Sequence, residues 1–382
     1  MRHKNTLLHE ILKPMPWGRF DNLVDKHGSD RGVRTLSTKS QLVALVHAQL
    51  SGSTSLREIE ATLESHSTRL YHLGVNAPKR STLADANQQR PAEVFVELFQ
   101  ILLAQAHPGL RRCATEAIRL IDSTSLPLNA LSNSWASYDA HGAGAKLHVV
   151  FDPNAGTPVH FAVTAQRIND ITAAKVMPIE AGATYVFDLG YYDFGWWAGL
   201  DAKGCRFVTR LKKNTPTRLI TEHAVPAGCP VLADRTVRLP ERLMASRRNP
   251  CSRELREIHV VIDTGKTLRL ITNDLSAPAQ EIARLYKTRW QIELFFRWVK
   301  QTLKIRRFVG TSANAVRIQL AVALIAYLLL RMTHAAQTAV ASLLTFARLV
   351  RSNLMIFKSI RDLAVPEPPP RLLLESQLGF IL

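Results

Sequence analysis

Cysteine is scarce in this 382-residue chain. Cys113, Cys205, Cys229 and Cys251 stand far apart, and no CxxC pair occurs. Zinc ribbons and dithiol redox motifs are thereby excluded, and a disulfide framework is not expected at this size, which fits a reducing cytoplasm. No HExxH pair is present, and no Ser/His/Asp arrangement stands out. Gly265-Lys266-Thr267 has the end of a phosphate loop, but Val260 fills the required earlier glycine position. The N-terminus has no long apolar stretch with a cleavage site, so no signal peptide is expected. Long hydrophobic runs are also missing. The longest, 318–330, lies between Arg317 and Arg331, short of the ~20 residues that span a bilayer. It reads as a buried helix, and no membrane partner is expected. Acidic residues are few: 31 Asp/Glu face 49 Lys/Arg, for a formal charge of +18. Such a balance favours a polyanionic partner.

What is present indicates a globular chain of two or three domains, with 46% apolar residues. The charge is uneven. Residues 281–382 hold 15 Lys/Arg against 5 Asp/Glu, whereas residues 1–110 hold 13 against 10. Residues 1–108 read as short helices. Thr38 is placed to cap one, and Ser55-Leu56-Arg57-Glu58 fits a capping box that opens another. Ser81 and Pro91 start two more, and Pro108-Gly109 marks a boundary. The pattern suits a helix-turn-helix-like DNA reader that folds as a unit, or a plain helical bundle.

Residues 116–210 alternate strand and helix signals. AIRLID is a strand, and 146–152 and 158–164 form a hairpin across Pro153-Asn154-Ala155-Gly156. A helix over 170–181, the strand TYVFDL, a helix ending at Gly204 and the strand CRFVTRL follow. That order is the order of a ribonuclease-H-like core. Residues 211–275 are proline-punctuated and strand-rich, without Trp, Tyr or Phe. Residues 311–382 read as a basic helical region and tail.

The most informative stretch is LYKTRWQIELFFRWVK, 285–300. Arg289, Glu293 and Lys300 follow Tyr286 by 3, 7 and 14 positions. At ~100° per residue a single helix would carry all four within about 60° of one another. Beside them runs an apolar stripe of Leu285, Ile292, Phe296, Val299 and Leu303, so the helix can dock on a core. A solvated face with an Arg289–Glu293 ion pair accounts for two of these residues. It does not account for Tyr286 and Lys300.

The spacing Tyr-x2-Arg-x3-Glu-x6-Lys resembles the C-terminal signature of the insertion-sequence-four family of DDE transposases. The resemblance extends over about 115–310, with Asp122 in RLIDSTSL and Asp188 in TYVFDLGYYDF at the family's two aspartate positions. It implies an α/β fold: a ribonuclease-H-like catalytic domain, 115–310, interrupted by a β-rich insertion, 211–275, and flanked by helical regions 1–108 and 311–382. It also implies that Asp122, Asp188 and Glu293 are catalytic ligands of two Mg²⁺ ions, with Mn²⁺ as a substitute. Tyr286, Arg289 and Lys300 would meet DNA. So would Arg210, Lys212 and Lys213, which on composition alone are equally a solvated turn. The partners implied are double-stranded DNA (the element's terminal repeats and its target) and a second copy in a synaptic homodimer. Some relatives cut through a DNA hairpin with a flipped base stacked on a tryptophan of the insertion. Here that aromatic is missing, and Trp196, Trp197, Trp290 and Trp298 are expected to be packing residues. A DNA-binding regulator without catalysis, or a nuclease without strand transfer, are the competing readings.

Overall fold

The computed structural model describes residues 5–110, 116–139, 142–226, 228–244, 247–305 and 307–365; Cys113 and the proline-rich tail from Pro366 lie outside them. The first hundred residues form helices α1 (Leu7–Leu12), α2 (Trp17–Lys26), α3 (Thr38–Ser51), α4 (Leu56–Ser65), α5 (Arg80–Gln89) and α6 (Glu93–Leu110). Ser37, not Thr38, caps α3, its hydroxyl accepting from Ser40 N at 3.1 Å. Ser55 caps α4 as its motif predicts, while Glu58 reaches back one residue further, to Thr54 N. Pro108 does not end α6, which continues to Leu110.

The central sheet starts with β1 (Ile118–Leu128). It pairs antiparallel with β2 (Gly142–Asp152), which pairs antiparallel with β3 (Thr157–Ala165) across a turn where Gly156 takes φ 65°. On its other side β1 runs parallel to β4 (Thr184–Val186), and β4 parallel to β5 (Arg206–Arg210). The order β3-β2-β1-β4-β5, with α7 (Asp170–Val176) and α8 (Phe194–Ala202) as crossovers, is the ribonuclease-H-like arrangement the sequence order predicts. Leu120 and Val149 face one core, and Ile121 and Val150 face the other. Burial on both faces explains the near-continuous apolar runs of these strands.

The segment after β5 is β-rich, as expected, but it does not stand apart. Its strands are β6 (Arg218–His223), β7 (Val231–Arg238), β8 (Leu255–Val261) and β9 (Thr267–Thr272). β9 pairs with β5, Ile271 against Thr209, so the sheet continues as β5-β9-β8-β7-β6. With the short strand Ser137–Asp139, which pairs with β2, ten strands of the described residues share one sheet. Edge pairing satisfies backbone groups that β5 would otherwise leave open.

Helices α9 (Ala279–Thr288), α10 (Trp290–Thr302), α11 (Ala313–Ala335) and α12 (Leu343–Asn353) complete the chain. The apolar run lies within α11, whose 23 residues would be long enough to cross a membrane. Instead, 83% of its apolar window is buried inside the protein. A helix apolar on all sides belongs at the centre of a bundle, and α3 and α6 pack on it. Further ties join the two ends of the chain. Leu7 N donates to Ile356 O at 2.9 Å, Asn314 Nδ2 to Arg90 O at 2.7 Å, and Arg351 Nε to Leu50 O at 3.2 Å. The N-terminal helices therefore share their core with α11 and do not carry one of their own. A fragment ending at residue 108 is expected to melt without a cooperative transition in circular dichroism; a sharp, reversible melt would contradict the shared core. In the full chain, Leu328→Ala in α11 should cost about 2–5 kcal/mol of stability.

Candidate active site

β1 and β4 fix the first two acidic groups. Leu120 pairs with Val186, so Asp122 and Asp188 each stand two residues beyond the last parallel pair. Asp122 is 17% exposed and accepts at Oδ1 from Ser123 N at 2.8 Å. Asp188 opens a short turn and accepts at Oδ1 from Gly190 N at 2.8 Å. Both carboxylates are thus oriented by backbone N–H groups one or two residues downstream.

Glu293 arrives in the first turn of α10, which packs on β1. The stretch 285–300 is not the single helix the spacing implies. α9 ends at Thr288 and α10 begins at Trp290, with Arg289 at the junction. Arg289 N bonds Tyr286 O, and Ile292 N bonds Arg289 O, a three-residue spacing that tightens the turn. Thr288 Oγ1 also takes the Leu285 carbonyl at 2.6 Å, a side-chain bond that competes with helix continuation. The four signature residues therefore belong to two helices. Tyr286 lies on α9, while Glu293 and Lys300 share a face of α10, seven residues apart.

Arg289 joins the acids. Its Nη2 lies 2.5 Å from Glu293 Oε1 and its Nη1 3.3 Å from Asp122 Oδ2. Its guanidinium also stands 5.9 Å from the Tyr286 ring centre. Burial alone would lower the Arg289 pKa, but Tyr286, Glu293 and Asp122 together raise it, so it stays charged. Burial, above all, pushes the Asp122 carboxyl up to about 7; Asp188 and Glu293 push the same way, against Ser123 N–H and Arg289. The phenol of Tyr286 is raised chiefly by burial, with Arg289 and Arg210 opposing. Arg210, at the end of β5, is therefore within electrostatic reach of the same group.

The basic turn after β5 is pinned from below. Arg269 Nη1 donates to the carbonyls of Lys212 at 3.1 Å, Lys213 at 2.8 Å and Thr215 at 3.2 Å, while its Nε holds Glu257 at 2.7 Å. Lys212 Nζ lies 4.5 Å from the Tyr192 ring centre. Lys212 and Lys213 are exposed on this clamped turn, so its backbone has a fixed shape. The clamp residue Arg269 carries no local sequence signal.

The donor set is all carboxylate oxygen, which suits Mg²⁺ or Mn²⁺ better than softer metals. Among the described residues, no three His, Cys, Asp or Glu side chains stand close enough to cage one ion as placed. The Arg289 guanidinium lies between Asp122 and Glu293 instead. Acids that draw a cation between them, one of them with its carboxyl raised to about 7, fit a place for further positive charge. Of the tryptophans expected to pack, Trp196 and Trp197 are buried and Trp298 packs beside the core. Trp290 departs from that expectation. It is 54% exposed next to Arg289, with Leu294 at 52% on the same helix.

Residues 114–329 match the family described as the transposase DDE domain, and residues 3–76 match a domain of unknown function. A relative from Sinorhizobium fredii, named as a transposase, is 41% identical over 298 residues, covering 77% of this chain and 82% of that protein. Another, from Geobacillus stearothermophilus and named as the transposase of an insertion sequence element, is 28% identical over 66% of each chain. A third such protein, from Synechocystis, is 39% identical over 85 residues, 20% of this chain and 25% of its own length. Among solved structures, the piggyBac transposase in a synaptic complex with hairpin DNA aligns with a TM-score of 0.45 at 11% identity, over 93% of this chain and 81% of that one.

The raised Asp122 carboxyl has a consequence for stability without metal. Below about pH 4 the group is protonated whether the chain is folded or not. Between the ordinary value of 3.8 and about 7 only the unfolded chain ionises freely, so stability falls as pH rises through that window. Asp122→Asn should remove that loss. In chelator-treated protein the variant's melting temperature should exceed the wild type's at pH 8, and the gain should shrink toward pH 4. A difference independent of pH would place the Asp122 carboxyl at its ordinary value.

Proposed function

This chain belongs to the DDE transposases, and on that premise we propose that Asp122, Asp188 and Glu293 hold divalent metal, two Mg²⁺ ions, to cut and join the DNA ends of an insertion sequence. The observation that carries the proposal is the convergence on Arg289. Acids from a strand and a helix 171 positions apart meet one guanidinium, and Asp188 acts on the same Asp122 carboxyl. Metal held by these residues would supply activation of the attacking hydroxyl and stabilisation of the leaving oxygen. The protein's part is placement. Asp122 is held inside β1, paired with Val149, and Asp188 follows the end of β4, while Glu293 sits on a helix that packs on β1.

Arg289 then serves two states. Without metal it balances the acids. With metal and DNA in place, its fork suits bidentate contact with a phosphate, and Tyr286 supports its stem side. Lys300, Arg210, Lys212 and Lys213 are proposed to follow the backbone of the DNA as point charges or forks. Trp290 offers an exposed aromatic surface beside Arg289, the kind of surface on which an unpaired base stacks. This provides for base stacking where the segment 211–275 has no aromatic side chain. Reading of the terminal repeats is assigned to the helical region 1–108, and synapsis of two ends to a homodimer. The insertion-sequence-four subgroup is supported by the intact spacing at Tyr286, Arg289, Glu293 and Lys300.

The test uses labelled element ends, a target duplex and Mg²⁺. Wild type should give cut ends and joined product. Asp188→Asn and Glu293→Gln should keep end binding and lose both products. Cutting without joining would favour a nuclease, and binding alone in the wild type a regulator. Arg289→Ala and Lys300→Ala should each lower the slope of log affinity against log salt by about one unit. An unchanged slope in both would return these residues to a solvated face.

A further inference from the structure

The two faces of β1 carry different chemistry. Asp122 meets Arg289 on the helical side, and Ser123, next in the strand, projects to the other side. There Ser123 Oγ donates to Asp170 Oδ1 at 2.8 Å, at the start of α7. Lys146 Nζ on β2 donates to the same oxygen at 3.1 Å and to Ile168 O at 3.0 Å. The remaining oxygen of Asp170 lies against Gly190. A Cβ placed there would stand 3.2 Å from Asp170 Oδ2 and 3.0 Å from Asp188 Oδ1. His148 is fully buried nearby, its Nδ1 3.8 Å from Asp170 Oδ1, and burial holds its ring down at about 4, so it is neutral. Tyr191, also buried here, lies within the fields of Asp122, Asp170 and Asp188. Lys146 is thus the cation that balances Asp170.

Ser123 and Gly190 share one feature. Their N–H groups are the donors that orient Asp122 and Asp188, at 2.8 Å each. We propose that Asp170, balanced by Lys146, is a positioning residue that fixes Ser123 and abuts Gly190, and so sets both catalytic aspartates for metal from the opposite side of the sheet. An acid at a helix start already favours the helix dipole. That role does not call for the Ser123 bond, and it gives no reason for metal affinity to change.

This inference rests on the reading of Asp122 as a metal ligand, and the test separates the two. Mn²⁺ is titrated into the full-length protein, and free Mn²⁺ is followed by electron paramagnetic resonance. Ser123→Ala and Asp170→Asn should each weaken Mn²⁺ binding about tenfold, as loss of outer partners to metal ligands does, at a temperature where both variants are folded. The double variant should bind no more weakly than Asp170→Asn alone, because Ser123 acts through its bond to Asp170. Ser123→Thr, which keeps the hydroxyl, should restore affinity. Wild-type Mn²⁺ binding in Ser123→Ala and Asp170→Asn, alongside loss in Asp122→Asn, would overturn the inference and leave the metal reading standing. Wild-type binding in Asp122→Asn would remove both.

Discussion

Three carboxylates near one another in a partly buried cleft repel, and something positive must stand among them. In this protein the Arg289 guanidinium does so, bonded to Asp122 and Glu293 while Asp188 acts on Asp122 from the next strand. Much of the local structure follows. The helix is tightened at Arg289, α10 is held against β1, and Tyr286 lies under the guanidinium. Under the proposed function, divalent cations would take over the balancing charge and free Arg289 for phosphate.

Rigidity comes from elsewhere. The sheet is buried on both faces just before Asp122 in β1 and at the end of β4 before Asp188, and its extension through β9 pairs the edge of β5. The extension also supplies Arg269, which clamps the turn bearing Lys212 and Lys213. The strands after β5 are therefore part of the frame that fixes the basic turn at Lys212 and Lys213. On the same face as α10, α11 gathers the helices of both chain ends into one core, so a region that reads DNA would be mechanically joined to the region that cuts it.

Features set by local pattern were legible in the sequence. The apolar strands around Asp122 and Asp188, the hairpin before Gly156 and the cap at Ser55 follow from period and turn chemistry. The spacing of Tyr286, Arg289, Glu293 and Lys300 pointed to one site, and Arg289, Glu293 and Asp122 do meet. Features set by distant contacts were not legible. The Thr288 hydroxyl is the local sign of the tightening at Arg289, but nothing local announces that Arg289 meets an acid 167 positions away. The joining of β9 to β5 is a pairing across 60 residues, and an apolar α11 signals burial without naming its partners. Trp290 reads as a packing residue beside Ile292 and Phe296, and only the turn of α10 relative to the core leaves it exposed. Asp170 looks like an ordinary helix-start acid until Ser123 is seen against it.

Divalent cations are expected to replace Arg289 among the three acids. The most direct measurement is anomalous diffraction from crystals grown with Mn²⁺ and an element end. Mn²⁺ peaks ligated by Asp122, Asp188 and Glu293 are expected, with the Arg289 guanidinium withdrawn to a DNA phosphate. Peaks elsewhere on the protein, with Arg289 still bonded to Asp122 and Glu293 in the DNA complex, would contradict that replacement.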